Sequence, residues 1–123
     1  MPGFSIMNNL QKITDCCWNK FKSLYPELPS NSPIAVFDKR FTRIAGCLDW
    51  DKNRIKISFQ LFNKFPSEFE KEIIPHELAH YVDFYLNGVL LFDAPIIEHH
   101  RDSWQQIMVA YGISPNEFHH LSI

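Results

Sequence analysis

The chain predicts an α+β fold: an N-terminal packing helix, a three-stranded and mostly antiparallel sheet, a helix bearing an H-E-x-x-H pentapeptide, and a C-terminal helix. Three observations predict it. Apolar residues recur every three or four positions from Ile6 to Leu24. The period then shortens to β-rich runs between Pro33 and Phe59. Helical spacing returns after Pro66, this time around His76-Glu77-Leu78-Ala79-His80. With 123 residues and 46% hydrophobic content, one domain over residues 1–123 with one core is expected. The 11 Phe, 4 Tyr and 3 Trp favour a compact core and can also wall a cleft.

In the first helix Ile6, Leu10, Ile13, Cys17, Phe21 and Leu24 form an apolar stripe that ends where Tyr25-Pro26 and Pro29 open a loop. Asn8, Asn9, Gln11, Lys12, Asp15, Asn19, Lys20 and Lys22 make its solvated face. Strands are expected over Ile34 to Phe37, Thr42 to Trp50 and Arg54 to Phe59, with Asp51-Lys52-Asn53 as the turn between the last two. Gly46 inside the middle run marks a bulge or a close approach by another backbone. Leu61 to Phe65 reads as a short helical turn. Pro66, Ser67 and Glu70 then give a helix start with a capping-box pattern. That helix should run from Ser67 to Leu86 and stop at Asn87-Gly88, with a kink at Pro75, which lacks a backbone donor. Gly88 to Ile97 form an apolar loop over the core or one wall of the cleft. Trp104, Ile107, Met108 and Tyr111 mark the last helix, closed by Gly112, and Ser114-Pro115 to Ile123 form a tail with His119 and His120.

The formal net charge of −2 supplies no global basic field for nucleic acid or an anionic membrane. No apolar run of membrane-spanning length occurs, and the N-terminus lacks the pattern of a signal peptide, so a soluble intracellular protein of cytoplasm or nucleoid/nucleus is expected. Cys16, Cys17 and Cys47 are odd in number and include an adjacent pair, which suits reduced thiols. With no C-x-x-C pair, a second, structural zinc is not expected.

The pentapeptide carries the chemistry. On a helix, positions i and i+4 share one face, so His76 and His80 can point imidazole nitrogens at a single zinc ion. Glu77 then sits beside the metal without binding it, placed to take a proton from a water whose pKa the ion lowers to about 7. Peptide-bond hydrolysis is the expected reaction. A shuffle of this composition, with six His, would yield the pattern in only about 0.02 cases, which favours a metal site over a fortuitous core pair. Ile73, Ile74, Leu78, Val82 and Phe84 to Leu86 surround the polar trio with apolar side chains, and buried polar groups need partners. A catalytic zinc takes three protein ligands, so a further donor is required, and Glu98, His99 and His100 are the candidates. Asp83 or Asp102 can orient a ligand's second nitrogen, and Trp104 reads as core packing. Arg40 and Arg43 are candidate substrate or salt-bridge residues, although solvation is the plainer reading for exposed arginines on a hairpin.

The string Pro75-His76-Glu77-Leu78-Ala79-His80-Tyr81, then His100-x-x-x-Trp104, then Met108-x-x-x-Gly112-Ile113-Ser114-Pro115, resembles the SprT-like family, which includes bacterial SprT proteins and the Spartan protease. Arg43-x-Ala45-Gly46, Ile55 to Ser58 and Leu61 extend the similarity upstream, so it covers roughly Pro33 to Leu121. The resemblance implies a zincin-like fold, zinc held by His76, His80 and His100, and Glu77 as general base. A glycine usually follows the third histidine in that family, whereas Arg101 stands here, which keeps His99 and Glu98 as rivals. The family also carries a tail histidine, so His119 or His120 can reach the cleft, against the commoner case of exposed tail residues. A cysteine-rich zinc ribbon, frequent in its bacterial members, is not expected in this chain.

By the same resemblance, the expected activity is endopeptidase action on protein substrates attached to DNA, in the repair of DNA–protein crosslinks. DNA contact on this acidic chain would need a local patch drawn from Lys20, Lys22, Lys39, Arg40, Arg43, Lys52, Arg54 and Lys56. Two other readings stand beside it. One is a metal-stabilised, non-catalytic binding module, against which an intact Glu77 argues. The other is a dedicated protease with no role for DNA.

Overall fold

The computed structural model describes residues 2–87 and 102–114, without the side chains of residues 2–8, Trp50 and Asp102. Helix α1 (Pro2–Leu24) leads into strand β1 (Ile34–Asp38), strand β2 (Gly46–Asp49), a 3-10 turn at Trp50–Lys52 and strand β3 (Arg54–Ser58). Helices α2 (Phe59–Lys64) and α3 (Pro66–Glu68), a π-helical turn at Phe69–Ile73, helix α4 (Ile74–Asn87) and helix α5 (Asp102–Tyr111) follow. The class is α+β, as expected. No helix among the described residues is long and apolar enough to cross a membrane. The expected loop from Gly88 to Ile97 and the tail after Ser114 lie outside the described residues.

The sheet corrects the expected pairing. Its order is β1-β3-β2, with β3 antiparallel to β2 (Gly46 opposite Ile57, Asp49 opposite Arg54) but parallel to β1 (Ile34 opposite Arg54, Asp38 opposite Ser58). Half of the pairing is therefore parallel. The segment between β1 and β2 carries the chain past the position beside β1, and β3 enters there. The central position suits β3, whose Ile55 and Ile57 are completely buried. The expected long middle strand is shorter because Phe41 to Ala45 wrap around Ser58. Its N–H donates to the Ala45 carbonyl at 2.9 Å, and its hydroxyl donates to the Phe41 carbonyl at 2.8 Å. Asn53, with φ of 52°, makes the left-handed turn into β3 that an Asn tolerates better than most residues.

Helix starts also differ from expectation. Ser58 caps α2, accepting from the Leu61 N–H at 3.1 Å. The Ser67/Glu70 box does not form. Pro66 occupies the first turn of α3, where its missing N–H costs nothing, and Phe65 precedes it without a side-chain cap bond. The disturbance expected at Pro75 appears one turn earlier, as the π turn in which the Ile74 N–H reaches the Phe69 carbonyl. In that register Pro75 would serve the Glu70 carbonyl and cannot. The Cys17 thiol donates to it instead, at 3.9 Å.

α1 packs against β1, α4 and α5. Leu10, Cys17 and Phe21 of the expected stripe are buried, joined by Thr14 and Trp18, whereas Leu24, the last residue of the helix, is exposed. Phe21 meets Tyr111 of α5 with ring centroids 4.4 Å apart. The Trp18 indole donates to the Pro29 carbonyl at 2.9 Å, which fastens the loop after α1. Gln11, placed on the solvated face by its spacing, accepts from the Ala35 N–H at 2.9 Å and ties α1 to β1. Phe37, Phe62 and Phe69 stack edge to face in sequence, joining sheet, α2 and the π turn.

Candidate metal centre

Ten consecutive residues of α4, Ile74 to Asp83, are buried. A helix apolar on one face does not do this. α4 lies between the sheet, α1 and α5, and three of its buried residues are the polar members of the pentapeptide. The α-helical turn places His76 and His80 on one face with ring centroids 5.2 Å apart. Both imidazoles are nearly buried, and buried polar rings require partners.

Trp104 of α5 supplies an aromatic wall to both. Its indole lies nearly parallel to His80, 5.2 Å away at an interplanar angle of 14°, and meets His76 edge to face at 4.9 Å and 66°. The indole N–H also points to the His76 carbonyl at 3.5 Å, at the outer limit of a hydrogen bond. Core packing, the role spacing assigns to Trp104, is present, and the neighbours it packs on include the two histidines.

Glu77 faces the sheet. A Cβ built on Gly46 would lie 3.5 Å from the Glu77 Cγ, 3.1 Å from the Lys56 carbonyl and 3.1 Å from the Ile57 side chain. The glycine, first residue of β2, therefore marks a close approach, one of the two readings its place in the expected middle run allows. One of the approaching groups is the carboxylate residue of the pentapeptide. Burial pushes the Glu77 carboxyl up to about 7, because removal from water disfavours its charged form. Tyr81 reaches from α4 to the sheet: its hydroxyl lies 3.4 Å from the Asp49 carbonyl and 3.5 Å from that of Arg54, at the outer limit of a hydrogen bond.

The structure thus brings together His76, Glu77 and His80. Among the described residues, no group of three or more His, Cys, Asp or Glu side chains gathers as a metal site. His100 and its rivals His99 and Glu98 lie outside the described residues, as do His119, His120 and the Asp102 side chain. Asp83 is buried and accepts from the Asn87 amide at 2.7 Å. The donors present suit zinc, since paired neutral imidazoles are ordinary zinc ligands and a buried carboxylate gains from a nearby cation.

Several basic residues have local partners. Arg40 grips Asp38 through two bonds of 3.0 and 2.7 Å, and this guanidinium holds the Asp38 carboxyl down at about 2. Arg54 donates to Asp49 at 2.9 Å, and Lys22 to the Pro26 and Leu28 carbonyls at 3.1 and 2.8 Å. Lys20 lies over Tyr111 and Lys39 over Phe59. Arg43 and Lys52 are exposed.

The SprT-like family model matches residues 9–120. Protein SprT of Actinobacillus succinogenes is 34% identical over 111 residues, which span 90% of this chain and 60% of that protein. Protein SprT of Shewanella oneidensis is 30% identical over 114 residues, 89% of this chain and 65% of the relative. Protein SprT of Vibrio parahaemolyticus is 28% identical over 117 residues, 92% of this chain and 63% of the relative. The chain therefore spans less than two thirds of the length of these curated relatives. No solved structure matches.

Proposed function

The chain belongs to the SprT-like family, and from that premise we propose that it is a zinc-dependent endopeptidase with His76 and His80 as two metal ligands and Glu77 as general base. The observation that carries this reading is the buried trio on α4, two imidazoles on one helix face beside a carboxylate that burial holds near neutrality. The third ligand is His100 by the family pattern, with His99 and Glu98 as alternatives.

Zinc, when bound, supplies a Lewis acid that polarises the scissile carbonyl and acidifies water. Glu77 takes the proton of the attacking water and passes it to the departing amine. In the metal-free fold burial raises this carboxyl to about 7, and a bound cation would draw it back toward the ionised form that accepts a proton. Among the described strands β2 pairs only with β3, and Gly46 at its start adjoins Glu77. An extended protein segment added along the outer edge of β2 would pass this carboxylate.

The narrower substrate proposal is proteins attached to DNA, as in crosslink repair, with the local basic residues making the DNA contact. The net charge of −2 and the pairing of Arg40 and Arg54 with acidic neighbours favour a second reading, a protease that acts without DNA. Zinc-loaded protein incubated with a DNA-binding protein, with and without single-stranded DNA, separates them, with Glu77→Gln as control. Cleavage that requires both DNA and Glu77 supports the first reading. DNA-independent cleavage lost with Glu77 supports the second. Cleavage retained by Glu77→Gln contradicts both, and no cleavage by the wild type returns weight to a metal-stabilised binding module.

A further inference from the structure

We infer that Trp104 is a positioning residue of this centre, holding the His76 and His80 imidazoles in the orientation a shared cation requires before the cation arrives. The inference rests on the zinc reading above and deepens it. The three rings form a nearly equilateral triangle, with centroid separations of 4.9 Å for His76 to Trp104, 5.2 Å for His80 to Trp104 and 5.2 Å between the histidines.

The geometry suits a wall rather than a competitor. The lone pair of an imidazole nitrogen lies in the ring plane, so a partner stacked on the ring face leaves that nitrogen available. At 14° to His80 the indole stacks on a ring face and does not approach through the ring edge. His76, at 66°, is held from the side, with the indole N–H directed at its own main-chain carbonyl. Trp104 is fully buried, and Ile107 and Met108, one turn further on α5, are buried with it, so the wall is fixed to the core. An imidazole free to rotate would lose its side-chain entropy on metal binding, whereas a ring already held has little to lose. Only a two-ring side chain spans both histidines at these separations. Leu would fill space without restricting either ring, and Phe could face one of them.

The test compares Trp104→Leu and Trp104→Phe with wild type for zinc affinity, by competition with a chromophoric chelator, and for the visible spectrum of the cobalt(II) form. Thermal unfolding of the metal-free proteins reports the fold separately. The expected result is a loss of about tenfold or more in zinc affinity for Leu, with an altered cobalt band, and partial rescue by Phe. Equal affinities and unchanged bands in a folded Leu variant overturn the inference. If that variant does not fold, proton NMR of the wild type decides. Indole stacking keeps the His80 ring protons shifted upfield in both the metal-free and the zinc-bound forms, and loss of that shift on zinc addition overturns the inference. A wild type that binds no zinc, or whose binding is indifferent to His76→Ala and His80→Ala, overturns the zinc reading and this inference together. Wild-type binding with an indifferent Leu variant removes only the inference.

Discussion

In α1, burial follows the turn of the helix. Leu10, Thr14, Cys17, Trp18 and Phe21 are buried, and Lys12, Asp15, Cys16, Asn19 and Lys20 are exposed. In α4, against which α1 packs, every residue from Ile74 to Asp83 is buried, and four of them are His76, Glu77, His80 and Asp83. The first helix is built for cohesion, with apolar groups removed from water and polar groups left in it. The second removes polar groups from water at a cost and surrounds them with specific neighbours: Trp104 beside the imidazoles and Gly46 beside the carboxylate. Substitutions in α1 should therefore change stability in the ordinary direction. Neutralising the buried Glu77 carboxyl of α4 should instead stabilise the metal-free fold above neutral pH while removing the proposed activity.

Phe21→Ala tests the cohesive side with the largest expected effect. Phe21 is completely buried and stacked on Tyr111, so its truncation should cost about 3–5 kcal/mol in denaturant unfolding. Glu77→Gln tests the other side. The Glu77 carboxyl titrates at about 7 in the folded chain and at its ordinary lower value when unfolded. Between those values the folded state binds more protons, so metal-free stability falls as pH rises and reaches its minimum contribution above about 7. Gln has no proton to lose. At pH 8 the metal-free Gln variant should exceed wild type by up to about 3 kcal/mol, and the two should converge at pH 4, as unfolding at both values will show.

Gly46→Ala should have a smaller effect, about 1 kcal/mol of destabilisation. The added methyl group meets the Lys56 carbonyl and Ile57 at 3.1 Å, and neighbours must yield by a few tenths of an ångström. The Glu77 Cγ, 3.5 Å from that methyl group, is only in ordinary contact with it, so the Glu77 titration, followed by carboxyl NMR, should stay in place. Asn19→Ala, on the exposed face of α1, should change stability by less than about 0.5 kcal/mol.

The elements were legible in the sequence where a period ran long enough. The α1 stripe, three strands, the pentapeptide helix and the last helix all appear near their expected places. Strand order was not legible, because local alternation carries no information on which strand takes the centre, and β3 rather than β2 lies between its neighbours. Capping was misplaced for a related reason: Ser58 and Ser67 both precede helical runs, and Pro66 starts a helix without a side-chain cap. In the site, the shared face of His76 and His80 follows from spacing alone. That Trp104 meets both rings, and that Gly46 adjoins Glu77, depends on contacts between segments far apart in the chain. The His-x-x-x-Trp spacing and a glycine inside a strand were the available signals.

Zinc stoichiometry and affinity, measured for wild type, His76→Ala, His80→Ala and Glu77→Gln, decide whether α4 carries a metal centre. One zinc per wild-type chain is expected, lost in either histidine variant and kept in Glu77→Gln, as holds when the carboxylate is a base and not a ligand. Binding that survives both histidine substitutions, or that disappears with Glu77, would contradict it.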